Sequence, residues 1–311
     1  MNGFLNLLKP PGMTSHDLVR YVRKLFPKTK VGHGGTLDPG AAGVLPLLLG
    51  KATKFSSYLV DLAKIYRVEL FLGVSTDTED SSGEITARRK PYPLPVEDLQ
   101  KVLRSFQGEI EQVPPMYAAV KQRGKKLYEY AREGIVVERR ARKVHIYALE
   151  MLDYFPPERV LMEVKCSKGT YMRTLCTQIG AALGFGGHMS FLLRKAVGGF
   201  LLSRTCTLDG SSLAGDADRA RQALLPLDFL FRGEEYLMLE KEEISKLVQG
   251  QYLLWPELRN KASNPAGVSG EPVDEKILPV YTTTREFVGL AQWLLDPKAG
   301  FCLKPAKIIR T

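Results

Sequence analysis

The chain has little of what redox, metal-binding and membrane proteins depend on. Its four cysteines, Cys166, Cys176, Cys206 and Cys302, are scattered with no C-x-x-C pair. That spacing argues against a disulfide or zinc framework and for free thiols in a reducing compartment. The four histidines, His16, His33, His145 and His188, show no H-E-x-x-H or other ligand spacing, so no metal is expected. The longest apolar run, VLPLLLG, is far shorter than the roughly 20 residues that cross a bilayer. MNGFLNLLKPPGMTS has no charged segment leading into an apolar one, so no secretory signal is expected. These absences lead to the expectation of a cytoplasmic, metal-free protein.

Phosphate and calcium fingerprints fail as well. Gly50-Lys51 is followed by Ala52, and the first glycine of a Walker A loop would fall on Leu45. Gly32 and Gly34 would need a third glycine where Leu37 stands to make a dinucleotide fingerprint. In the acidic turn DTEDSSGE, Gly83 comes one place late after Asp77 for a calcium loop.

Acid is also in short supply. Forty-four Lys and Arg stand against 34 Asp and Glu, a net charge of +10, which points to a polyanionic partner. The excess is clustered. KQRGKKLYEYAREGIVVERRARKVH, residues 121–145, carries nine bases and three acids, and so holds +6 of the +10. RYVRKLFPKTK at 20–30 has five bases and no acid. A single run of charge is ordinarily a solvated face. Two such clusters, one interleaved with Tyr128 and Tyr130, favour a surface that tracks phosphates.

With 311 residues and 44% hydrophobic content, the chain can bury a large domain and a small one. SHDLVRYVRKLF reads as an amphipathic helix with Ser15 as N-cap and Leu18, Val22, Leu25 and Phe26 facing inward. An apolar strand around 44–49 and a short helix across 51–62 lead to YRVELFLG, where Tyr66, Val68, Leu70 and Leu72 share one face of a strand. A helix is expected over 97–107, and RVLMEVKC alternates like a strand. A helix over 171–183 would bury Met172, Leu175, Ile179 and Leu183. Strands and helices without a βαβ repeat suggest an α+β architecture. LLPLDFLFRGEE at 224–235 reads as the exit from this domain. A helix (240–248), a Pro/Gly/Asn-rich loop (255–274) and three short strand-like runs follow, the dimensions of a small β-rich module.

The chemistry concentrates in VGHGGTLDPGAAGVL, residues 31–45. Its one acid, Asp38, has no Lys or Arg inside the loop. Pro39 biases Asp38 toward extended backbone, and the flanking glycines permit close approach of a large ligand. Such a carboxylate suits a nucleophile, a general base or the cap of an ordinary L-D-P-G turn. Arg173 is a second clue. With Thr170 as N-cap it falls in the first helical turn, where a cation opposes the helix dipole by roughly 0.3–1 kcal/mol. A partner anion would offset that cost, and Asp38 lacks a local base. Tyr66 and Tyr171, on pattern alone, read as core or surface aromatics.

Five stretches in order carry a resemblance: KPPGMTSHD at 9–17, GHGGTLDPGAAGVLPLLLGKATKF at 32–55, KIYRVELFLGVSTDTEDSSGE at 64–84, VPPMYAAVKQRGKKLYEYAREG at 113–134 and CSKGTYMRTLCTQIG at 166–180. Together they closely resemble the TruB family of bacterial tRNA pseudouridine synthases, over roughly residues 3–200. The resemblance implies a mixed, largely antiparallel sheet flanked by helices and loops. It implies a catalytic domain at 1–232, with a basic RNA-clamping insertion near 121–143, and a PUA-like RNA-binding domain at 233–311. The 253–274 segment is longer than the family's form. The implied activity is isomerisation of uridine 55 in the T loop of tRNA, by a monomer without cofactor or obligate protein partner.

Carried over, Asp38 would be the catalytic aspartate and Arg173 would hold its carboxylate. Tyr66 would stack on the target uracil and serve as the base in the isomerisation. His33 would fill the space that the flipped base leaves, Tyr171 and Leu192 would line the pocket, and Lys9 with Pro10 would brace the loop from behind. Arg139, Arg140 and Arg142 would contact RNA phosphates and help offset base extrusion. Two other readings compete. A base-releasing glycosylase would need a second carboxylate, Asp77 or Asp80, to activate water, and would liberate free uracil. A non-catalytic RNA-binding module would need only the basic patches, with Asp38 as a turn cap.

Overall fold

The computed structural model describes residues 1–309 except 119, 123, 259–261 and 264–271. Arg123 of the basic segment and the middle of the 253–274 stretch lie outside the described residues. The chain divides into two compact units. One comprises Leu5–Leu47 and Ser57–Ala223; the other comprises Met1–Phe4, Leu48–Ser56 and Leu224–Thr311.

The first unit is built on a mixed sheet. Its strands run in the order Gly3–Lys9, Ala42–Leu49, Gly187–Val197, Lys64–Leu72, Arg159–Cys166, Arg142–Phe155 and Gly108–Gln112. The expected α+β class is the observed one. Strand 64–72 sits at the centre, antiparallel to 187–197 on one side and to 159–166 on the other. Its alternation reflects this position: Tyr66, Val68, Leu70 and Leu72 are buried and the intervening residues half-buried. Strand 42–49 shows no alternation because it is buried throughout after Ala42, and it runs parallel to 187–197.

The helix Met172–Ala182 lays Leu175, Cys176 and Ile179 on the buried face of the sheet, in one core with Val68, Leu70, Val160, Met162 and Val164. Each such side chain contributes about 1.5–3 kcal/mol by leaving water. The helix Ser15–Leu25 buries Leu18, Val22 and Leu25 as expected, with Phe26 just beyond it, and buries Val19 as well; its N-cap is Thr14 rather than Ser15. Thr14 Oγ1 accepts from the Asp17 amide at 3.1 Å and the Asp17 carboxylate accepts from the Thr14 amide at 2.8 Å, a closed capping box. Ser15 is released for another task, described below.

Two long strands were not anticipated. Arg142–Phe155 begins inside the basic segment, and Gly187–Val197 carries Arg194 and Lys195 within an apolar run. The second unit holds a six-stranded sheet whose principal strands are Tyr236–Leu239, Ile277–Thr282, Phe287–Asp296 and Gly300–Ile308. Its core contains Leu237, Leu239, Val280, Trp293 and Leu303, with the helix Lys241–Val248 adding Leu247. Phe55 belongs to this unit too, packed edge-on against Phe231. This is the β-rich module expected at the C-terminal end.

Candidate active site

Asp38 and Arg173, 135 residues apart, meet. Arg173 Nε lies 3.0 Å from Asp38 Oδ2 and Nη2 lies 3.2 Å from Oδ1, a two-pronged pair. The carboxylate is therefore not spent on capping its own turn. The backbone closes that turn instead, with the Ala41 amide donating to the Asp38 carbonyl at 3.1 Å. Arg173 is 6% exposed and Asp38 31%, so the cation is walled in while the acid keeps an opening toward a ligand.

The guanidinium has further duties. Nη2 donates to the Tyr117 carbonyl at 3.0 Å, Nη1 donates to the Thr78 carbonyl at 3.4 Å, and Nη1 lies 3.9 Å from Asp80 Oδ2. Arg173 thus joins the catalytic-loop candidate, the acidic turn and the root of the basic segment. Of the two acids considered for water activation, Asp77 accepts the Glu84 amide at 2.8 Å and belongs to the turn. Asp80 accepts from Thr78 Oγ1 at 2.8 Å and the Ser82 amide at 2.9 Å, and faces Arg173. Glu79, at φ 64, accepts from Thr174 Oγ1 at 2.7 Å beside them.

Arg173 lies in the first helical turn, but the N-cap is Tyr171 and not Thr170. Thr170 Oγ1 donates to the Ser167 carbonyl at 3.0 Å and closes the preceding turn. The buried Gln112 supplies the cap from another strand: its Oε1 accepts the Tyr171 amide at 2.9 Å. No sequence-local signal marks that contact.

The loop itself is held through its backbone. Lys9, 0% exposed, donates from Nζ to the carbonyls of Ala41 (2.7 Å), Pro10 (2.9 Å) and Pro39 (3.2 Å). Its three donors are used, so Lys9 braces the loop and does not reach substrate. Ser15 Oγ accepts the Leu37 amide at 2.8 Å and donates to the Leu37 carbonyl at 3.1 Å. The Gly12 amide donates to the Pro39 carbonyl at 2.9 Å. Arg194, buried in the 187–197 strand, bonds the carbonyls of Gly35, Thr36 and Val44. Sequence reasoning missed it; the signal was a base inside the apolar run FLLRKAV.

Electrostatics follows from this packing. Burial pushes the Asp38 carboxyl above the usual carboxylate range; Arg173 opposes this most, Asp80 adds to it, and Lys9 opposes it more weakly. Burial lowers the Lys9 ammonium to about 8 against the pull of Asp38. The Tyr66 hydroxyl is pushed up by burial, with Arg194 its strongest opponent. Tyr66 and Leu192 belong to one packed cluster with Leu37, which precedes Asp38, and Ala41, three residues after it. Burial raises Tyr171 as well, and Asp38 and Arg173 are among the charges acting on it. His33 ends the short strand Val31–His33, with its Nδ1 buried and unpartnered.

The arginines of the basic segment do not act alike. Arg139 is half-buried and donates to the Pro114 carbonyl at 3.0 Å, so it secures the segment's root rather than standing free for phosphate. Arg140 and Arg142 are exposed. Lys125 and Lys126 lie over the rings of Tyr130 and Tyr128 at 5.0 and 5.3 Å, a cationic, aromatic surface. Among the described residues no helix is long and apolar enough to cross a membrane.

Residues 23–172 match the family model for the N-terminal domain of TruB family pseudouridylate synthases, and residues 173–232 match that for the tRNA pseudouridylate synthase B C-terminal domain. A tRNA pseudouridine synthase B of Alkaliphilus oremlandii is 52% identical over 229 residues, 74% of this chain and 75% of its own length. That of Moorella thermoacetica is 40% identical over 312 residues, 99% of both chains. Among solved structures, a chain of a Cbf5-Nop10-Gar1 complex is 28% identical with a TM-score of 0.71, covering 98% of this chain and 84% of its own.

Proposed function

This chain belongs to the TruB family of pseudouridylate synthases, and from that premise we propose that it acts on uridine 55 in the T loop of tRNA with Asp38 as its catalytic group. The reaction is an isomerisation. The bond from the ribose to N1 of the base breaks, a bond from the ribose to C5 forms, the C5 hydrogen leaves as a proton and N1 takes one up. Nothing is consumed, but the base must be detached, turned and recaptured where water cannot intercept it.

The observation that carries this reading is the two-pronged Arg173–Asp38 pair, with Tyr66 and Leu192 packed in one cluster with Leu37 and Ala41 of the same loop. An ionised carboxylate is required whether it attacks the sugar or takes a proton from it. The guanidinium opposes the upward push that burial gives the acid's pKa and so favours the ionised form, and its planar grip fixes the direction of the free lone pairs. A uridine inside a folded loop cannot reach such a pocket, so it is extruded, at a cost of a few kcal/mol. Stacking on Tyr66 offsets part of that cost, His33 occupies the vacated place in the RNA, and Tyr171 and Leu192 complete the wall. The exposed Arg140 and Arg142, with the Lys–Tyr stacks of the insertion, engage the T-arm backbone.

The test is Asp38→Asn with a T-arm stem-loop transcript, followed by carbodiimide mapping of pseudouridine. The variant binds the RNA as the parent does and yields no product at position 55. Product from Asp38→Asn removes the carboxylate from catalysis. Modification elsewhere in the loop removes the site assignment.

A further inference from the structure

Arg194 is buried to 1% exposure, and among the described residues no carboxylate pairs with it. Its guanidinium is committed to backbone carbonyls: Nε donates to Val44 at 2.7 Å, Nη1 to Thr36 at 3.4 Å and Nη2 to Gly35 at 3.4 Å. Those acceptors lie on the two legs of the loop that presents Asp38, Gly35 and Thr36 on the way in and Val44 on the way out. The backbone reinforces the arrangement. Arg194 pairs with Gly43 in the parallel ladder, and Gly43, at φ +116, sits so close that an added Cβ would stand 2.2 Å from the Arg194 carbonyl. The same guanidinium is the strongest charge acting on the Tyr66 hydroxyl.

A guanidinium without a counter-ion is an expensive way to fill a core, and an apolar side chain of similar volume would serve stability better. A fork that spans two chain segments does what an apolar side chain cannot: it sets the distance between the legs of a glycine-rich loop. We propose that Arg194 is a positioning residue for the isomerisation, closing the base of the 35–44 loop so that the Asp38 carboxylate meets the Arg173 guanidinium and the ribose in a fixed orientation. The proposal rests on Asp38 being the catalytic group. It divides the work among three cations: Arg173 orients the carboxylate, Lys9 holds the carbonyls just after it, and Arg194 sets the loop's span.

The experiment compares Arg194→Met, Arg194→Lys and Asp38→Asn in the full chain. It measures thermal unfolding, RNA-binding stoichiometry, and kcat and KM for a T-arm substrate, with rates expressed per RNA-binding-competent molecule. Misplacing a reacting group by about 1 Å costs on the order of 100-fold in rate. Arg194→Met therefore lowers kcat about 100-fold with KM changed less than about 3-fold. Arg194→Lys keeps the charge but cannot span both legs, and it fails to restore kcat. It also decides the matter if the Met variant does not fold. A kcat per competent molecule equal to the parent's in Arg194→Lys means that the residue only stabilises the fold, and overturns the proposal. Full activity in Asp38→Asn instead overturns the reading on which it rests, so the two failures are distinct.

Discussion

Replacing Arg173 by methionine keeps the length and apolar character of the stem and deletes the charge. In the parent, burial raises the Asp38 pKa and Arg173 is the largest force opposing it, with contacts at 3.0 and 3.2 Å. An arginine at such distances lowers a carboxylate by about 1–3 pKa units. Asp38 is 31% exposed and Lys9 still acts on it, so solvent and the lysine moderate the loss of the guanidinium without replacing it. Without the guanidinium the carboxyl protonates more readily, and the active anion forms only at higher pH. The acid limb of kcat/KM, which in the parent lies above the ordinary carboxylate range, therefore moves to still higher pH in Arg173→Met. The plateau also falls, because the orienting grip is gone. Release of tritium from RNA labelled at uridine C5, followed from pH 4.5 to 9, reads both quantities. A lower plateau with an unmoved acid limb would refute the claim that Arg173 controls the ionisation of Asp38. An unchanged profile would dismiss the pair from catalysis altogether.

Three further outcomes follow from the same geometry. Arg140→Ala with Arg142→Ala weakens RNA binding and lowers the slope of log K against log salt by about 0.7–0.9 for each phosphate no longer neutralised. Single-turnover rates at saturating enzyme stay near the parent's, and an unaltered slope would deny these side chains a phosphate. Gly43→Ala forces a side chain against the Arg194 carbonyl at positive φ, costing about 1–3 kcal/mol for the backbone alone; the urea midpoint falls and activity with it, and a midpoint equal to the parent's would contradict the close approach. Ser15→Ala leaves the buried amide and carbonyl of Leu37 without their partner. A loss of about 1–3 kcal/mol in chemical denaturation is expected, and no loss would mean that water replaces the hydroxyl.

What was legible in the sequence had a local cause. Strands 64–72 and 159–166 alternate because one face is buried and the other is not, and period-2 patterning reports that directly. The meeting of Asp38 with Arg173 was legible because each is anomalous where it stands, an acid with no local base and a cation at the wrong end of a helix. The illegible parts had remote causes. Strand 142–155 opens with bases that read as an RNA-binding face, and its pairing with 108–112 and 159–166 is invisible in its own letters. Carbonyl acceptors carry no sequence signature, so the bonds that Lys9 makes were not legible and Arg194 was not expected at all. The bond that Arg139 makes was illegible for the same reason: the Pro114 carbonyl that holds it looks like any other. The association of Leu48–Ser56 with residues 224–311 depends on contacts such as Phe55 with Phe231, nearly 180 residues apart in sequence.

With Asp38 as the proposed catalytic group, the distribution of cations answers a difficulty inherent in a carboxylate catalyst. The group must be ionised in a pocket dry enough to protect the intermediate, yet a carboxylate saturated with direct donors is a poor nucleophile and a poor base. One arginine in contact supplies orientation and the larger part of the counter-charge while leaving Asp38 open on its exposed side. The remaining positive charge is placed behind the loop, where Lys9 and Arg194 donate to carbonyls and not to the carboxylate. Of these two, Lys9 reaches Asp38 through space, lowering the acid's pKa without occupying a lone pair. Its own ammonium, lowered to about 8, records the cost of that placement. A design that used all three cations as direct ligands would hold the aspartate more tightly and leave it less able to react.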